Sequence, residues 1–493
     1  MMTPHTPHAM NAFRTDLAAL PPEDITTVLR AQLERMRRAF AARAPSTAAQ
    51  RRDALARLLR AVLDHEDEWV RAIDADFGRR SATETRLLEL GPLADEIRHL
   101  RRHVAGWMRP QRVPVNPLFW PARARIVPQP LGVVGIIGAW NYPLQLTLSP
   151  LANALAAGNH VLLKPSELAP HTAALLQRVL GEAFAPEEVC VVTGGADVAA
   201  ALAGLPLDHL LFTGSTRVGR LVMQAAAAQL TPVTLELGGK SPAIVGPGAD
   251  LAQAADRIAT AKGWNAGQTC IAPDYCLVPR ERRDAFVAAL RDSVRRRWPR
   301  GAADPDYTAL VSSAAWERMQ RLAREAADNG ATLVPLMDTA AQPDVRAMGP
   351  VAVLDPPADC ALMREEIFGP LLPVLPYDSL EQAIAHVNAG PRPLALYLFE
   401  RDARTIEHVL QTTTSGGVTV NDCMLHQPQH ALPFGGVGAS GIGAYHGRHG
   451  FERFSHRKGV YLQHPLVGAV FDRWVRPPYG PFVTRLLRGM LRR

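Results

Sequence analysis

The residues able to do chemistry in this chain stand in a polar turn or beside apolar, strand-like runs. Cys270 lies in KGWNAGQTCIAP, where Asn265, Ala266, Gly267 and Gln268 can form a turn that delivers a thiol to an accessible point. Such a thiol is either a reachable nucleophile or a small core hydrophobe, and Cys276, inside the strand-like YCLVP, reads as the second kind. Glu236 sits between apolar neighbours in TPVTLELGGKSP, just before a glycine pair. A carboxylate there is costly to bury, so it is either satisfied by backbone N–H groups or held as a general base. Asn141, in AWNYPL, follows a buried-looking strand, and its amide can donate to a developing oxyanion or cap the turn before Pro143.

Two further segments suit a nucleotide. Lys164 and Glu167 in VLLKPSE fall at a strand end, where a Lys and a Glu can take ribose hydroxyls or form an ordinary ion pair. FTGSTRVG (212–219) places small residues between a strand and a helix, so that backbone N–H groups can face a pyrophosphate. Neither a GxGxxG fingerprint nor a Walker lysine accompanies it, and the glycine signal alone is weak.

The elements that must position these residues change texture along the chain. The N-terminal third reads as helical: Pro22, Glu23 and Asp24 suit a first turn, and Ile25, Val28, Leu29, Leu33, Met36 and Phe40 repeat at helical spacing. A second run carries Leu55 to Ile73 and a third spans about 92–108, with arginine-laced faces that read as solvated. PQRVPVNPLFWPARARIVPQP, from Pro110 to Pro130, predicts short strands that its prolines keep at an edge or in a projecting hairpin. Beyond it, apolar runs of four to eight residues alternate with Ala-rich helical segments, the pattern of parallel β-α units in two α/β domains.

Composition excludes several classes. With 47% hydrophobic and 20% charged residues, the chain is neither disordered nor collagenous. Five cysteines without CxxC or Cys/His spacing predict a reducing, cytoplasmic setting and no metal site. No apolar stretch is long enough to span a bilayer. The net charge of +7 equals the excess carried by residues 451–493 alone, nine Lys/Arg against Glu452 and Asp472, so the near-neutral body argues against nucleic acid. The end of that tail, PFVTRLLRGMLRR, can dock on protein, stay solvated or rest on an anionic membrane; a scaffold acting through the tail is the non-enzyme alternative. Only Lys164, Lys240, Lys262 and Lys458 are lysines, and in so Arg-rich a chain a lysine can mark a place needing a compact charge.

Taken together, WNYP, KPSE, FTGS, LELGGKSP, GQTCIAPDY, EEIFGP and LPFGGVGASGIGAYHG, in that order, resemble the aldehyde dehydrogenase superfamily over about residues 25–465. Within it the chain is most similar to the class 3-like branch of fatty and bacterial coniferyl aldehyde dehydrogenases. The resemblance implies an α/β fold with a Rossmann-like cofactor domain (1–109 and 131–236), an α/β catalytic domain (237–430), and a small β dimerisation arm with a closing motif (110–130 and 431–465). Residues 466–493 would follow as a basic tail, and residues 1–20 as a disordered or crossing extension. The same resemblance makes Cys270 the nucleophile, Glu236 the general base and Asn141 the oxyanion donor. It assigns Lys164 and Glu167 to the adenosine ribose, Ser215 to the pyrophosphate, and Glu366 and Phe368 to the nicotinamide ribose, with Trp140 and Leu237 as further cofactor contacts. The implied cofactor is NAD, with NADP admissible because related enzymes with this Glu accept both. The implied state is a homodimer, and the implied substrate coniferaldehyde or another aromatic enal, with a medium- or long-chain fatty aldehyde as the alternative. An acylating enzyme using coenzyme A is the other branch, against which Glu236 argues.

Overall fold

The computed structural model describes residues 17, 20–338, 341–474 and 476–491. Most of the expected N-terminal extension therefore lies outside the described residues. Leu17 is a correction to it: the side chain is fully buried in the core beneath the first sheet and its N–H donates to the Thr193 carbonyl at 3.1 Å.

The first helix, Pro22–Ala42, begins with Pro in its first turn and Glu23 and Asp24 near its positive end, and buries Ile25, Leu29, Leu33 and Met36. The run from Leu55 to Ile73 is two helices, not one. Ala48–Leu63 opens with a Thr47/Gln50 capping box, and Glu66–Phe77 ends at Gly78, whose φ of +73° reverses the chain. Nor are all the arginines solvated. Arg51 is buried, donating to Ser46 Oγ at 2.9 Å and to the Ala156 carbonyl at 3.1 Å, where it satisfies the C-terminal end of helix Gln145–Ala157.

Sixteen strands follow in the described chain: β1 (Gln111–Val113), β2 (Arg123–Pro130), β3 (Val133–Ile137), β4 (His160–Lys164), β5 (Val189–Val191), β6 (His209–Thr213), β7 (Val233–Glu236), β8 (Pro242–Val245), β9 (Tyr275–Pro279), β10 (Thr332–Pro335), β11 (Val351–Leu354), β12 (Leu371–Tyr377), β13 (Ala395–Phe399), β14 (Gly417–Val420), β15 (Gly441–Ile442) and β16 (Ser455–Leu462). They form three sheets, ordered β15-β7-β6-β3-β4-β5, β10-β11-β12-β9-β8-β13-β14 and β1-β2-β16. The two large sheets are parallel except at β15 and β10, and β3, β4, β6, β8, β9 and β13 are buried throughout, as strands covered on both faces must be.

In the third sheet β1 and β2 pair antiparallel, as the hairpin alternative expected, but β2 is the middle strand, which corrects the expected edge position. Its prolines are tolerated because β1 pairs only with residues 124–126, so that Pro128 and Pro130 lie past the end of β1 and face β16 alone. The closing segment is also less separate than expected: β15 pairs antiparallel with β7, placing Gly441 opposite Glu236, and so belongs to the first sheet. The tail forms helices Pro465–Trp474 and Pro481–Leu491, and Phe471 of the first stacks on Phe119 of the arm at 5.2 Å between ring centroids. Among the described residues no helix is long and apolar enough to cross a membrane.

Candidate active site

Cys270 stands at the end of a loop held in an uncommon backbone conformation. After helix Leu251–Gly263, Asn265, Ala266 and Gly267 take φ values of 50°, 51° and 74°, three left-handed residues in succession. Gly267 is required there, since a β-carbon on it would collide with the Gly369 carbonyl oxygen. Side chains of the loop itself hold it in place. Gln268, fully buried, donates through Nε2 to the carbonyls of Asn265 and Ala309, both at 3.0 Å, and its Oε1 accepts from Val311 N–H at 3.0 Å. Tyr142 OH meets Thr269 Oγ1 at 2.8 Å. The result is one half-buried cysteine, while Cys190, Cys276, Cys360 and Cys423 are buried. Burial, with the carboxyls of Glu366 and Glu236 nearby, pushes the Cys270 thiol up to about 12.

Asn141 lies against the same loop. Its Nδ2 donates to the Gln268 carbonyl at 3.1 Å, leaving the second amide hydrogen for another acceptor. The Asn141 carbonyl accepts from Asn265 Nδ2 and from Arg80 Nη1, both at 2.9 Å.

Arg80 is the organising charge that the sequence did not expose. It is 3% exposed, bonds Asn265 Oδ1 at 2.9 Å, lies over the rings of Phe77 and Tyr142 at 4.8 and 4.9 Å, and pairs with buried Glu89 at 3.4 Å. Glu89 Oε2 accepts the N–H groups of Leu144 and Gln145, at the start of the helix that follows Asn141. Glu84 Oε2 accepts from Asn265 N–H at 3.1 Å and Thr308 Oγ1 at 2.8 Å. The π-helical turn Arg86–Leu90 carries Glu89 inward, and no spacing rule for ordinary helices would have marked that residue.

Glu236 ends β7 and is 3% exposed, with neither carboxyl oxygen hydrogen-bonded. Burial raises it well above the usual carboxylate range, and Arg453 opposes that shift. Of the two sequence alternatives, satisfaction by backbone N–H groups is thus not what the structure shows.

The expected nucleotide residues gather at the carboxyl ends of the first sheet. β3 is the strand at which the order reverses, and Ile137 at its end is in register with Lys164 of β4 and Phe212 of β6. Lys164 is 1% exposed and donates to Glu167 Oε2 at 2.6 Å, while Glu167 stays half-exposed. Ser215 Oγ accepts Val218 N–H at 3.3 Å as the cap of helix Thr216–Ala227, which leaves the hydroxyl proton free to donate at a positive helix end. Leu237 is buried and covers Gly219 of that helix.

Glu366 and Phe368 lie on a loop drawn over this edge. Arg318 donates to the carbonyls of Glu366 at 2.7 Å and Ile367 at 2.6 Å, and Asp274 Oδ1 accepts Ile367 N–H at 2.8 Å while its other oxygen pairs with Lys240. Phe368 meets Trp140 edge to face at 5.4 Å. The Glu366 carboxyl occupies the space a β-carbon on Gly238 would need, its Oε1 is buried without a partner, and burial pushes the group up to about 8. An orphaned acceptor there, a Lys–Glu pair at the end of β4 and a capped helix N-terminus after β6 fit a dinucleotide. Lys262, the third of the four lysines, is fully buried, and burial pushes its amine down to about 8.

A model described as "Aldehyde dehydrogenase family" matches residues 12–460. The chain is similar to the "Probable coniferyl aldehyde dehydrogenase" of Pseudomonas aeruginosa, 48% identical over 459 residues, covering 93% of this chain and 95% of that one. It is 42% identical over 462 residues to the "Coniferyl aldehyde dehydrogenase" of a Pseudomonas species, covering 93% and 95%. Among solved structures, the substrate-bound Staphylococcus aureus AldH superposes with a TM-score of 0.87 at 34% identity, over 94% of this chain and 99% of that one. A Mycobacterium tuberculosis aldehyde dehydrogenase complexed with NAD+ superposes at 0.80 with 30% identity, over 89% and 90%.

Proposed function

The chain belongs to the aldehyde dehydrogenase family, and from that premise we propose that it oxidises coniferaldehyde or a related aromatic enal to the carboxylate with NAD. The observation that carries the reading of the site is the convergence of a half-buried thiol, an anchored amide with a spare hydrogen, and a buried carboxyl without hydrogen-bond partners. Cys270 attacks the carbonyl carbon to form a thiohemiacetal. Asn141 Nδ2 and the Cys270 backbone N–H meet the oxygen as it becomes negative, and one such donor is worth about 3 kcal/mol in the transition state. NAD supplies the two-electron acceptor, and Lys164, Glu167, Ser215, Glu366, Phe368, Trp140 and Leu237 are the residues that would hold it. Cys270 then carries a thioester. Glu236 takes a proton from the water that attacks it, releasing the acid and the free thiol.

Glu167, half-exposed beside Lys164, favours a free 2'-hydroxyl over a 2'-phosphate, which supports NAD as the preferred cofactor with NADP accepted more weakly. The division into a cofactor domain around the first sheet, a catalytic domain around the second and an arm in the third follows the same reading. β16 is an edge strand of the arm, exposed from His456 to Gly459, and we read it as the contact with a second copy of the chain in a homodimer.

Relatives named for coniferyl aldehyde at 42–48% identity support the aromatic choice. The test is kcat/KM across coniferaldehyde, benzaldehyde, octanal and hexadecanal. A tenfold or greater preference for coniferaldehyde, about 1.4 kcal/mol in transition-state binding, is expected; the same preference for hexadecanal would replace the aromatic assignment with a fatty one.

A further inference from the structure

A buried carboxyl with no hydrogen bond stays uncharged unless a positive charge stands against it. The groups facing Glu236 are Arg453, at the end of helix Gly447–Arg453; Tyr445, fully buried in the turn before that helix; and Cys270 on the nucleophile loop. His209, on β6, reaches the same patch by bonding Thr234 Oγ1 at 2.8 Å, but burial and Arg453 push its imidazole down to about 3, so it is neutral. Arg453 is therefore the one cation in this group.

Its placement is specific. Arg453 Nε donates to Thr234 Oγ1 at 2.6 Å and Nη2 to the Val233 carbonyl, so both bonds fall on β7 and both acceptors are neutral. Thr234 and Glu236 are two residues apart on that strand, so their side chains share a face about 7 Å apart. The guanidinium also lies directly on Gly443, where any β-carbon would displace it, and Gly443 follows β15, the strand that closes β7 from the other side. One arginine thus holds the strand that carries the carboxyl and the strand that covers it.

We propose that Arg453 is a positioning residue for Glu236: it fixes the end of β7 and supplies the positive charge against which the carboxyl ionises. This rests on the reading of Glu236 as the base for thioester hydrolysis. A purely mechanical clamp would tie down the strand without influencing the proton.

The test is the pH profile of kcat for Arg453→Met and Arg453→Lys, with thermal denaturation of each. Removing the cation disfavours the carboxylate, so the acid limb of the Arg453→Met profile should move to higher pH by about half a unit or more. Turnover at pH 7 should fall several-fold while the first-turnover burst of NADH keeps its amplitude. Arg453→Lys should return the limb towards the original position, because charge is restored even though the two-bond clamp is not. An unchanged limb with a lowered melting temperature in Arg453→Met would overturn the proposal and leave the arginine a clamp. Should that variant not fold, Thr234→Val, which removes the hydroxyl shared by the guanidinium and the neutral His209, must shift the limb in the same direction by a smaller amount; no shift overturns the proposal equally. Glu236→Gln separates the two readings: if it turns over at the original steady rate the base assignment fails, whereas if it stalls and the arginine variants leave the limb in place, only the role of Arg453 fails.

Discussion

The amide of Asn141 and the carbonyl of Gln268 are joined at 3.1 Å, which ties the proposed oxyanion donor to the nucleophile loop two residues ahead of Cys270. The donor and the thiol are therefore registered to each other by the same bond. Asn141→Ala removes both the tie and the donor. It should lower kcat about 10²–10³-fold, the usual cost of losing one such donor, with a smaller change in KM. Steady-state kinetics on coniferaldehyde check this, and a kcat within threefold of the original would show that the amide only anchors the loop.

Cys270 carries a prediction about pH. With the thiol pushed up to about 12, the reactive thiolate is a small fraction at neutral pH and grows about tenfold per unit, because pH remains below the pKa throughout. Alkylation of the cofactor-free enzyme by iodoacetamide should accelerate in that proportion from pH 6 to 9, with no plateau. A plateau near pH 7 would mean that a neighbouring group already holds the thiol ionised. Cys270→Ser should abolish alkylation and nearly all turnover, while Cys276→Ser, on a buried strand, should leave both largely intact.

Arg80→Met tests the charge network beneath the site. Arg80 faces Glu89 and Glu84, both fully buried, and bonds the Asn141 and Asn265 positions that shape the loop. Removing one partner leaves uncompensated buried acids, so the variant should lose about 3–5 kcal/mol of stability, and activity should fall even at temperatures where it stays folded. Urea denaturation and residual kcat measure the two effects; a loss below about 1 kcal/mol would show that Glu84 and Glu89 are already neutral and need no cation.

The contrast between Arg80 and Cys270 shows what the sequence could convey. Glu236 and Asn141 stood out because each follows an apolar strand, and Cys270 because it closes a small, polar turn, but it was the run of family motifs that joined the three into one proposed site. Arg80, Glu84 and Glu89 come from an N-terminal segment dense in charges, where a buried arginine looks like its solvated neighbours. Their roles depend on hydrogen bonds with residues 55 to 224 positions away. Arg453 was hidden similarly, counted with a basic tail from which its bonds to Val233 and Thr234 remove it. The parallel sheets followed from the apolar runs, but the central place of β2 did not, because proline indicates which flank of a strand can be unpaired and not how far the neighbouring strand extends.

Glu236→Gln distinguishes a base from a structural acid. Gln keeps the shape of the side chain, and since neither carboxyl oxygen is hydrogen-bonded, a structural role predicts a changed melting temperature with much activity retained. A base role predicts that the thioester forms and then persists, because the attacking water keeps its proton. Rapid mixing of the variant with NAD and aldehyde should then give a burst of NADH of about one equivalent per active site, followed by a very slow steady rate. If Glu236 also helps deprotonate Cys270, the burst will be small near pH 7 and will grow at higher pH, where hydroxide does that work. A variant that shows no burst at any pH, yet binds NAD and is alkylated at Cys270, would move the principal role of Glu236 from hydrolysis of the thioester to its formation.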